Sequence, residues 1–431
     1  MSLALWLMLG VFAGIVLLRG PIGLAMIAGG VAYLGASGQD LGLAAEQILN
    51  SLFGSFVLIA VPMFIFAANV MNAGTISERI FDFAHALVGR FRGGLAHVNV
   101  VASVIFSGMS GSAIADAVGP GIVEIEMMSR DGRYPRAFAV AVSAASATIG
   151  PIIPPSIPML LYALVSGTSV GALFLGGVVP GLAMAAAMML IIAWVARRRN
   201  FPLEAPLPWR EFPRILARSF LPLLMPVVLL GGIYSGAFTA TEAAAVAALY
   251  ALALAIFVYR ALDWSGLVAI LADSTRASAM VGIIICGAFA FNYALAAEQI
   301  PARVADWFTA LELGPLGFLI VANLVFLALG CLLDTTCLLL VLVPLLVPVA
   351  RAVGVDLVHF GVVIVVNMMI GLLTPPYGVL LFVLSGLTGT PVRAIVRELA
   401  PFILALAAVL VVLVLAPSLV LALPRLAGYA P

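Results

Sequence analysis

The 431-residue sequence predicts an all-α polytopic membrane protein made of two inverted structural repeats, and three observations predict it. The chain is 64% hydrophobic and 9% charged, with a mean hydropathy of +1.24, which soluble domains of this length do not sustain. Two matched runs interrupt apolar stretches: Gly150-Pro151-Ile152-Ile153-Pro154-Pro155-Ser156 and Gly371-Leu372-Leu373-Thr374-Pro375-Pro376-Tyr377. Short similarities also recur at an offset near 222 residues. Leu9–Gly14 resembles Gly231–Gly236, Phe64–Phe83 resembles Phe289–Phe308, and Gly108 pairs with Gly330.

A Pro-Pro pair cannot lie in a continuous helix, because proline lacks an N–H and its ring clashes with the preceding turn. A helix broken in lipid leaves backbone groups unpaired, which is tolerated only where they are buried in protein or line a wet cavity. Matched broken helices in two halves of a membrane chain point to a transport site near the midplane.

The first repeat is expected over 1–200 and the second over 214–431, with 201–213 as a cytoplasmic linker. Each opens with two outer helices, at about 3–18 and 21–37 and again at 214–236 and 240–259. The first of these lacks a basic leader and a small-residue cleavage site, so it reads as a membrane helix rather than a signal peptide. A third helix follows at 55–73 and 277–296. The stretches 95–128 and 315–350 are too long for one span and too short for two, and each predicts a re-entrant hairpin whose tip stops at mid-membrane. The Pro-Pro-broken helices cover 137–167 and 358–387. Closing helices follow at 171–195 and 399–422.

All 20 basic residues are arginine. Placing the first hairpin's open end in the cytoplasm, between Arg92 and Arg130, leaves only Arg303, Arg351 and Arg425 outside. That is a strong positive-inside asymmetry. It makes both termini periplasmic, and it opens the second hairpin outward, so the halves are inverted. Trp194, Trp209 and Tyr259 suit a cytoplasmic aromatic belt. Cys286, Cys331 and Cys337 match no zinc spacing and read as small apolar side chains. No transition-metal cluster is expected, and the near-neutral charge gives no reason to expect nucleic acid.

The first tip, Ser107-Gly108-Met109-Ser110-Gly111-Ser112-Ala113-Ile114-Ala115-Asp116, sets three hydroxyls and two glycines among apolar residues. Hydroxyls and exposed carbonyls are hard oxygen donors suited to an alkali cation; close helix packing through small residues is the plainer alternative. The second tip, Gly330-Cys331-Leu332-Leu333-Asp334-Thr335-Thr336, pairs with a break bearing Gly371 and Thr374. Intramembrane carboxylates are expensive and usually functional. Asp116 and Asp334 therefore either face an ion or cap a half-helix. No arginine lies inside a span near either break. An anionic substrate would thus be held by half-helix N-termini starting near Pro155 and Pro376, by hydroxyls, and by bound cations. Ser112, Ser156, Thr335, Thr336 and Tyr377 are the candidates to face it. Thr239-Ala240-Thr241-Glu242 predicts a capping box. Glu124 and Glu126 are expected to be solvated, and the scattered His85, His97 and His359 argue against a histidine relay.

The runs SGMSGSAIADAVGPGI and SAASATIGPIIPPSIPMLLYALVSG, with GGIYSGAFTATEAAAVAALYAL, GCLLDTTCLLLVLVPLLVPVARAVG and NMMIGLLTPPYGVLLFVLSG, closely resemble the DctM-type large membrane subunit of tripartite ATP-independent periplasmic (TRAP) transporters over essentially the whole chain. The resemblance implies an elevator-type, sodium-coupled importer of organic acids such as dicarboxylates, sugar acids and keto acids, in a bacterial inner membrane. It implies a periplasmic binding protein and a small four-helix membrane subunit, here expected as a separate chain. Sodium is the implied coupling ion, with no other cofactor. The family's cation sites carry over to Gly108, Ser110, Ser112 and Gly150, and to Gly330, Asp334, Gly371 and Thr374. Ala240 stands where the family often has proline, and Arg133 where it often has glycine; both lie outside these sites. The competing readings are a binding-protein-independent citrate or dicarboxylate carrier, whose tips usually carry a Ser-Asn-Thr pattern absent here, and an intramembrane hydrolase, for which Ser112 and Asp116 lack a nearby base.

Overall fold

Inside lipid every backbone N–H and C=O must pair within the chain, so apolar stretches fold as helices. The computed structural model describes residues 2–72, 76–203 and 210–429, with Thr309 described by its backbone only, and its regular structure is helical apart from one isolated bridge, Arg92 to Leu203. Trp209 and part of the expected linker, 204–209, lie outside the described residues.

The first half runs α1 (Leu3–Leu17), α2 (Ile22–Ala36), α3 (Gly42–Gly54), α4 (Val57–Asn72), α5 (Ile76–Val88), α6 (Gly94–Ser110), α7 (Ala113–Val118), α8 (Pro120–Ser129), α9 (Arg136–Ala147), α10 (Ile157–Ser166) and α11 (Val170–Arg198). The second runs α12 (Phe212–Tyr234), α13 (Ala240–Ala253, extended by a π turn to Val258), α14 (Trp264–Ala297), α15 (Ile300–Ala310), α16 (Pro315–Gly330), α17 (Thr335–Ala352), α18 (Leu357–Gly371), α19 (Val379–Thr388), α20 (Val392–Leu415) and α21 (Pro417–Leu426).

Among the described residues, six helices are long and apolar enough to cross a membrane: α11, α12, α13 with its π turn, α14, α17 and α20. The pair α3 and α4, bent by 70° at Ser55-Phe56, would make a seventh. The chain is thus a multi-pass membrane protein. At 1.5 Å per residue the 17-residue α6 reaches about 25 Å, short of a hydrocarbon core of about 30 Å.

Several elements differ from the sequence expectation. The helix expected at 55–73 is α4, preceded by an unanticipated α3, while its second-half counterpart is the single 34-residue α14, longer than the expected 277–296. The amphipathic α5 and α15 were not anticipated, because their apolar faces are too narrow to read as spans. The arm after the first tip is divided at Gly119-Pro120, where proline cannot continue α7 and instead starts α8. The closing helix of the second half ends at Leu415, and α21 follows it separately.

The breaks fall where the prolines dictate. Between α9 and α10, and between α18 and α19, the Pro154-Pro155 and Pro375-Pro376 bonds are both cis. Around them α10 packs on α17 and α7 on α19, so each post-break half-helix meets the post-tip arm of the other half. Within each half the pre-tip arm packs on the pre-break helix, α6 on α9 and α16 on α18. Aromatic rings fill the centre: Tyr162 lies edge-on to Phe360 at 6.2 Å, and Phe360 contacts Phe318 at 5.3 Å. An outer layer of α1, α2, α4, α13 and α14 packs together beside this core. The Thr239 capping box forms as expected, with the Glu242 carboxylate accepting from the Thr239 N–H at 2.8 Å.

Candidate functional site: two hairpin tips seated on two helix breaks

At the first tip, α6 ends in Gly111, whose φ of +63° is left-handed and favours glycine. Ser112 restarts the chain by capping α7: its hydroxyl accepts from the Ala115 N–H at 3.4 Å. The tip sits directly on its break. The Gly111 carbonyl accepts from the Ile157 N–H at 3.4 Å, and a β-carbon on Gly111 would lie 2.5 Å from the Pro155 carbonyl oxygen.

Below the tip, the buried Ser110 hydroxyl donates to Asp116 Oδ1 and accepts from the Ser112 N–H at 3.4 Å. Asp116 is 3% exposed, and its Oδ2 has no hydrogen-bond partner among the described residues. That oxygen points at Gly150, where any β-carbon would overlap it. Of the expected first group, Ser110, Ser112 and Gly150 are therefore brought together, with Asp116 among them. Gly108 is placed differently: its missing side chain admits Pro226 of α12, at 2.5 Å from a built β-carbon. Its glycine identity is explained by that helix contact.

The second tip repeats the arrangement with other residues. A β-carbon on Gly371 would lie 3.1–3.3 Å from the Gly330 backbone, so tip and break touch through two glycines. Asp334 is the cap of α17, its Oδ1 accepting from the Thr336 N–H at 2.8 Å. The Thr374 hydroxyl donates to the Ile370 carbonyl at 2.7 Å. Thr335, Thr336 and Thr374 are half-buried, while Pro376 and Tyr377 are exposed, with Tyr377 against Phe382 at 5.4 Å.

Ser156 departs from the expectation that it faces a ligand. It is fully buried, donates to the Pro151 carbonyl and accepts from the Met159 N–H at 3.2 Å, so it serves as the cap that starts α10. Pro155 is buried beside it, beneath the first tip.

Sequence reasoning missed how the hairpin arms are tied to the broken helices. Asn99 on α6 donates to Ser143 Oγ at 2.6 Å and to Glu124 Oε2 at 2.5 Å, and accepts from the Ser146 hydroxyl at 2.5 Å. Glu124 is thus 3% exposed rather than solvated, because the arm carrying it turns inward onto α9. Glu126 does face outward, where Arg136 Nη2 lies 2.6 Å from it. The second half has its counterpart in Asn323 on α16, whose carbonyl and side-chain oxygens accept from Asn367 Nδ2 at 2.9 and 2.8 Å. An available signal was the asparagine near the start or middle of each pre-tip arm, at an offset of 224 close to the other repeat anchors.

The comparisons with known proteins agree with this architecture. A model of the family described as "Tripartite ATP-independent periplasmic transporter, DctM component" matches residues 9–419. The sialic acid TRAP transporter large permease protein SiaM of Vibrio cholerae is 43% identical over 422 residues, 98% of this chain and 97% of the relative. The C4-dicarboxylate TRAP transporter large permease protein DctM of Pseudomonas aeruginosa is 42% identical over 373 residues, 86% of this chain and 87% of that one. The 2,3-diketo-L-gulonate TRAP transporter large permease protein YiaN of Escherichia coli is 35% identical over 420 residues, 97% of this chain and 98% of that one. Among solved structures, the YdaH transporter of Alcanivorax borkumensis shares the fold, with a TM-score of 0.61 over 86% of this chain and 87% of that one at 14% identity. These relatives are transporter permeases and not enzymes, and the chain belongs to the DctM family of TRAP transporter large permeases.

Proposed function

We propose that this chain is the large permease of a sodium-coupled secondary importer that carries an organic acid across a bacterial inner membrane. The cargo class is a dicarboxylate, sugar acid or keto acid, as the names of the relatives suggest. A periplasmic binding protein delivers it, and a separate small membrane subunit completes the complex. The termini lie in the periplasm, and the two halves are inverted, which gives alternating access of the elevator type when they exchange conformations.

One observation carries this reading: each hairpin tip rests on the break of its own half, Gly111 on Pro155 and Gly330 on Gly371. Tip and break together gather carbonyls released from helical pairing, next to hydroxyls and a buried carboxylate. Such hard oxygens suit a small cation. The first sodium site then draws on Ser110, Ser112, Gly150 and Asp116, with Gly108 contributing only its backbone. The second draws on Gly330, Gly371, Thr374 and the Asp334 end of α17. The cargo carboxylate is held between the tips by Ser112, Thr335, Thr336 and Tyr377 and by the bound cations, since no arginine lies at either break. An anion site that needs its cations couples the two fluxes.

The test is thermal unfolding of the purified protein in sodium against choline at equal ionic strength. A ligand at about 100 times its dissociation constant adds roughly 2.7 kcal/mol. Sodium-specific stabilisation that Ser112→Ala and Thr374→Ala each weaken is the expected result. Equal midpoints in the two salts, with sodium-independent uptake in proteoliposomes, would overturn sodium coupling.

A further inference from the structure

The loops that follow α10 and α17 line, with α21, an open cavity of about 650 Å³. That volume lies within the roughly 300–1,000 Å³ range of small-molecule sites. It is remote in sequence from both tips, and two arginines from separate elements line it: Arg351 in the last turn of α17 and Arg425 in the last turn of α21. Arg351 is steadied from one side, since its Nη2 donates to the Ser166 carbonyl at 3.3 Å. The lining acid, Asp356, is already committed as the cap of α18, accepting from the Val358 and His359 N–H groups at 2.8 and 3.1 Å.

The cavity lining therefore sets two guanidinium groups against one carboxylate. The 29-residue α11 also begins at its wall, where Thr168 and Ser169 line it, and a helix N-terminus adds partial positive charge. Tyr429 belongs to the same lining. Guanidinium groups bind carboxylates through paired, charge-assisted hydrogen bonds, so this chemistry selects a small organic anion. Arg351 and Arg425 are also two of the three arginines that the proposed threading leaves outside.

We infer that this cavity is an outward-facing waiting site for the carboxylate of the organic-acid cargo, occupied before the cargo reaches the hairpin tips. The inference rests on the transport reading for its cargo and orientation.

Phenylglyoxal labelling of the purified full chain, read peptide by peptide by mass spectrometry, tests it. The probes are succinate and N-acetylneuraminate in choline buffer without sodium, with erythritol as the neutral control. Mass action predicts that an acid at twice its dissociation constant slows modification of Arg351 and Arg425 about threefold, with exposed Arg303 unaffected. Arg425→Gln should remove the protection of Arg351, and Arg425→Lys should keep part of it. The site is overturned if neither acid slows modification, if erythritol does so equally, or if Arg425→Gln leaves the protection of Arg351 intact. Protection without sodium-driven uptake in proteoliposomes would instead count against the transport reading while leaving the anion site standing.

Discussion

Gly330 and Gly371 meet backbone to backbone: a β-carbon on Gly371 would stand 3.1 Å from the Gly330 carbonyl carbon and 3.2 Å from its oxygen. The contact is close enough that a methyl group must press the Gly330 backbone back by a few tenths of an ångström. Gly371→Ala should lower the unfolding midpoint by an amount equivalent to about 1–3 kcal/mol, the usual range for overpacking a filled site. It should also weaken sodium-specific stabilisation. Unchanged midpoints and unchanged sodium response in a thermal-shift assay would contradict the tip-on-break arrangement.

The first tip carries two constraints at once. Gly111 needs a positive φ, and it has no room beneath the Pro155 carbonyl. Gly111→Ala combines left-handed backbone strain of roughly 1–2 kcal/mol with that clash, so it should destabilise more than Gly371→Ala. Gly132, with a φ of +68° and open space around it, isolates the backbone part. Gly132→Ala should lose stability by the strain alone, and a loss as large as that of Gly111→Ala would refute the contact.

The buried Asn99 group makes an asymmetric prediction. Asn99→Ala strands the Glu124 carboxyl without its partner and leaves the Ser146 hydroxyl only its bond to the Ser143 carbonyl at 3.2 Å. An unsatisfied buried polar group costs about 1–3 kcal/mol, and more when charged. Glu124→Gln keeps the shape and an oxygen that accepts from the Asn99 amide, so it should cost far less than Asn99→Ala. Midpoints of the two variants measured side by side decide this, and equal losses would sink it.

Tyr162 joins the halves by donating from its hydroxyl to the Leu357 carbonyl at 2.7 Å, while its ring fills the space over Gly361. Tyr162→Phe should lose about 0.5–1.5 kcal/mol. Gly361→Ala, which pushes a methyl into the ring, should lose more. The pair should be partly compensated by Tyr162→Leu in a double-mutant cycle, and strict additivity would argue against the contact.

Acid should loosen the N-terminus. Glu298, just past α14, is held below the ordinary glutamate pKa chiefly by the hydrogen bond from the Ser2 hydroxyl. A depressed folded-state value means that the stabilisation is complete above the unfolded glutamate pKa. It is lost as pH falls through the folded value. Ser2→Ala also removes the α1 cap, where the Ser2 hydroxyl accepts from the Leu5 N–H at 3.2 Å, so a loss should remain at low pH and grow toward neutrality in a pH series of unfolding midpoints.

Much of the fold was legible because lipid leaves few options. Apolar length gave the helices, and the Pro-Pro pairs marked breaks that no packing could mend. Hydroxyls, glycines and Asp116 around the first tip were visible as polar residues in an apolar run. The amphipathic α5 and α15 were not, since their patterns resemble surface segments until a neighbour covers them.

Composition, proline chemistry and the internal repeat determined by themselves that this chain is a helical membrane protein with two interrupted elements. Only the tertiary structure decided which groups those interruptions present. Ser156 became a buried cap, Gly108 a seat for Pro226, and Glu124 a buried partner of Asn99. The physical reason is that proline acts on its own turn, whereas burial and hydrogen-bond partners are set by elements far away in sequence. Asn99 meets Ser146 across 47 residues, and Tyr162 meets Leu357 across 195.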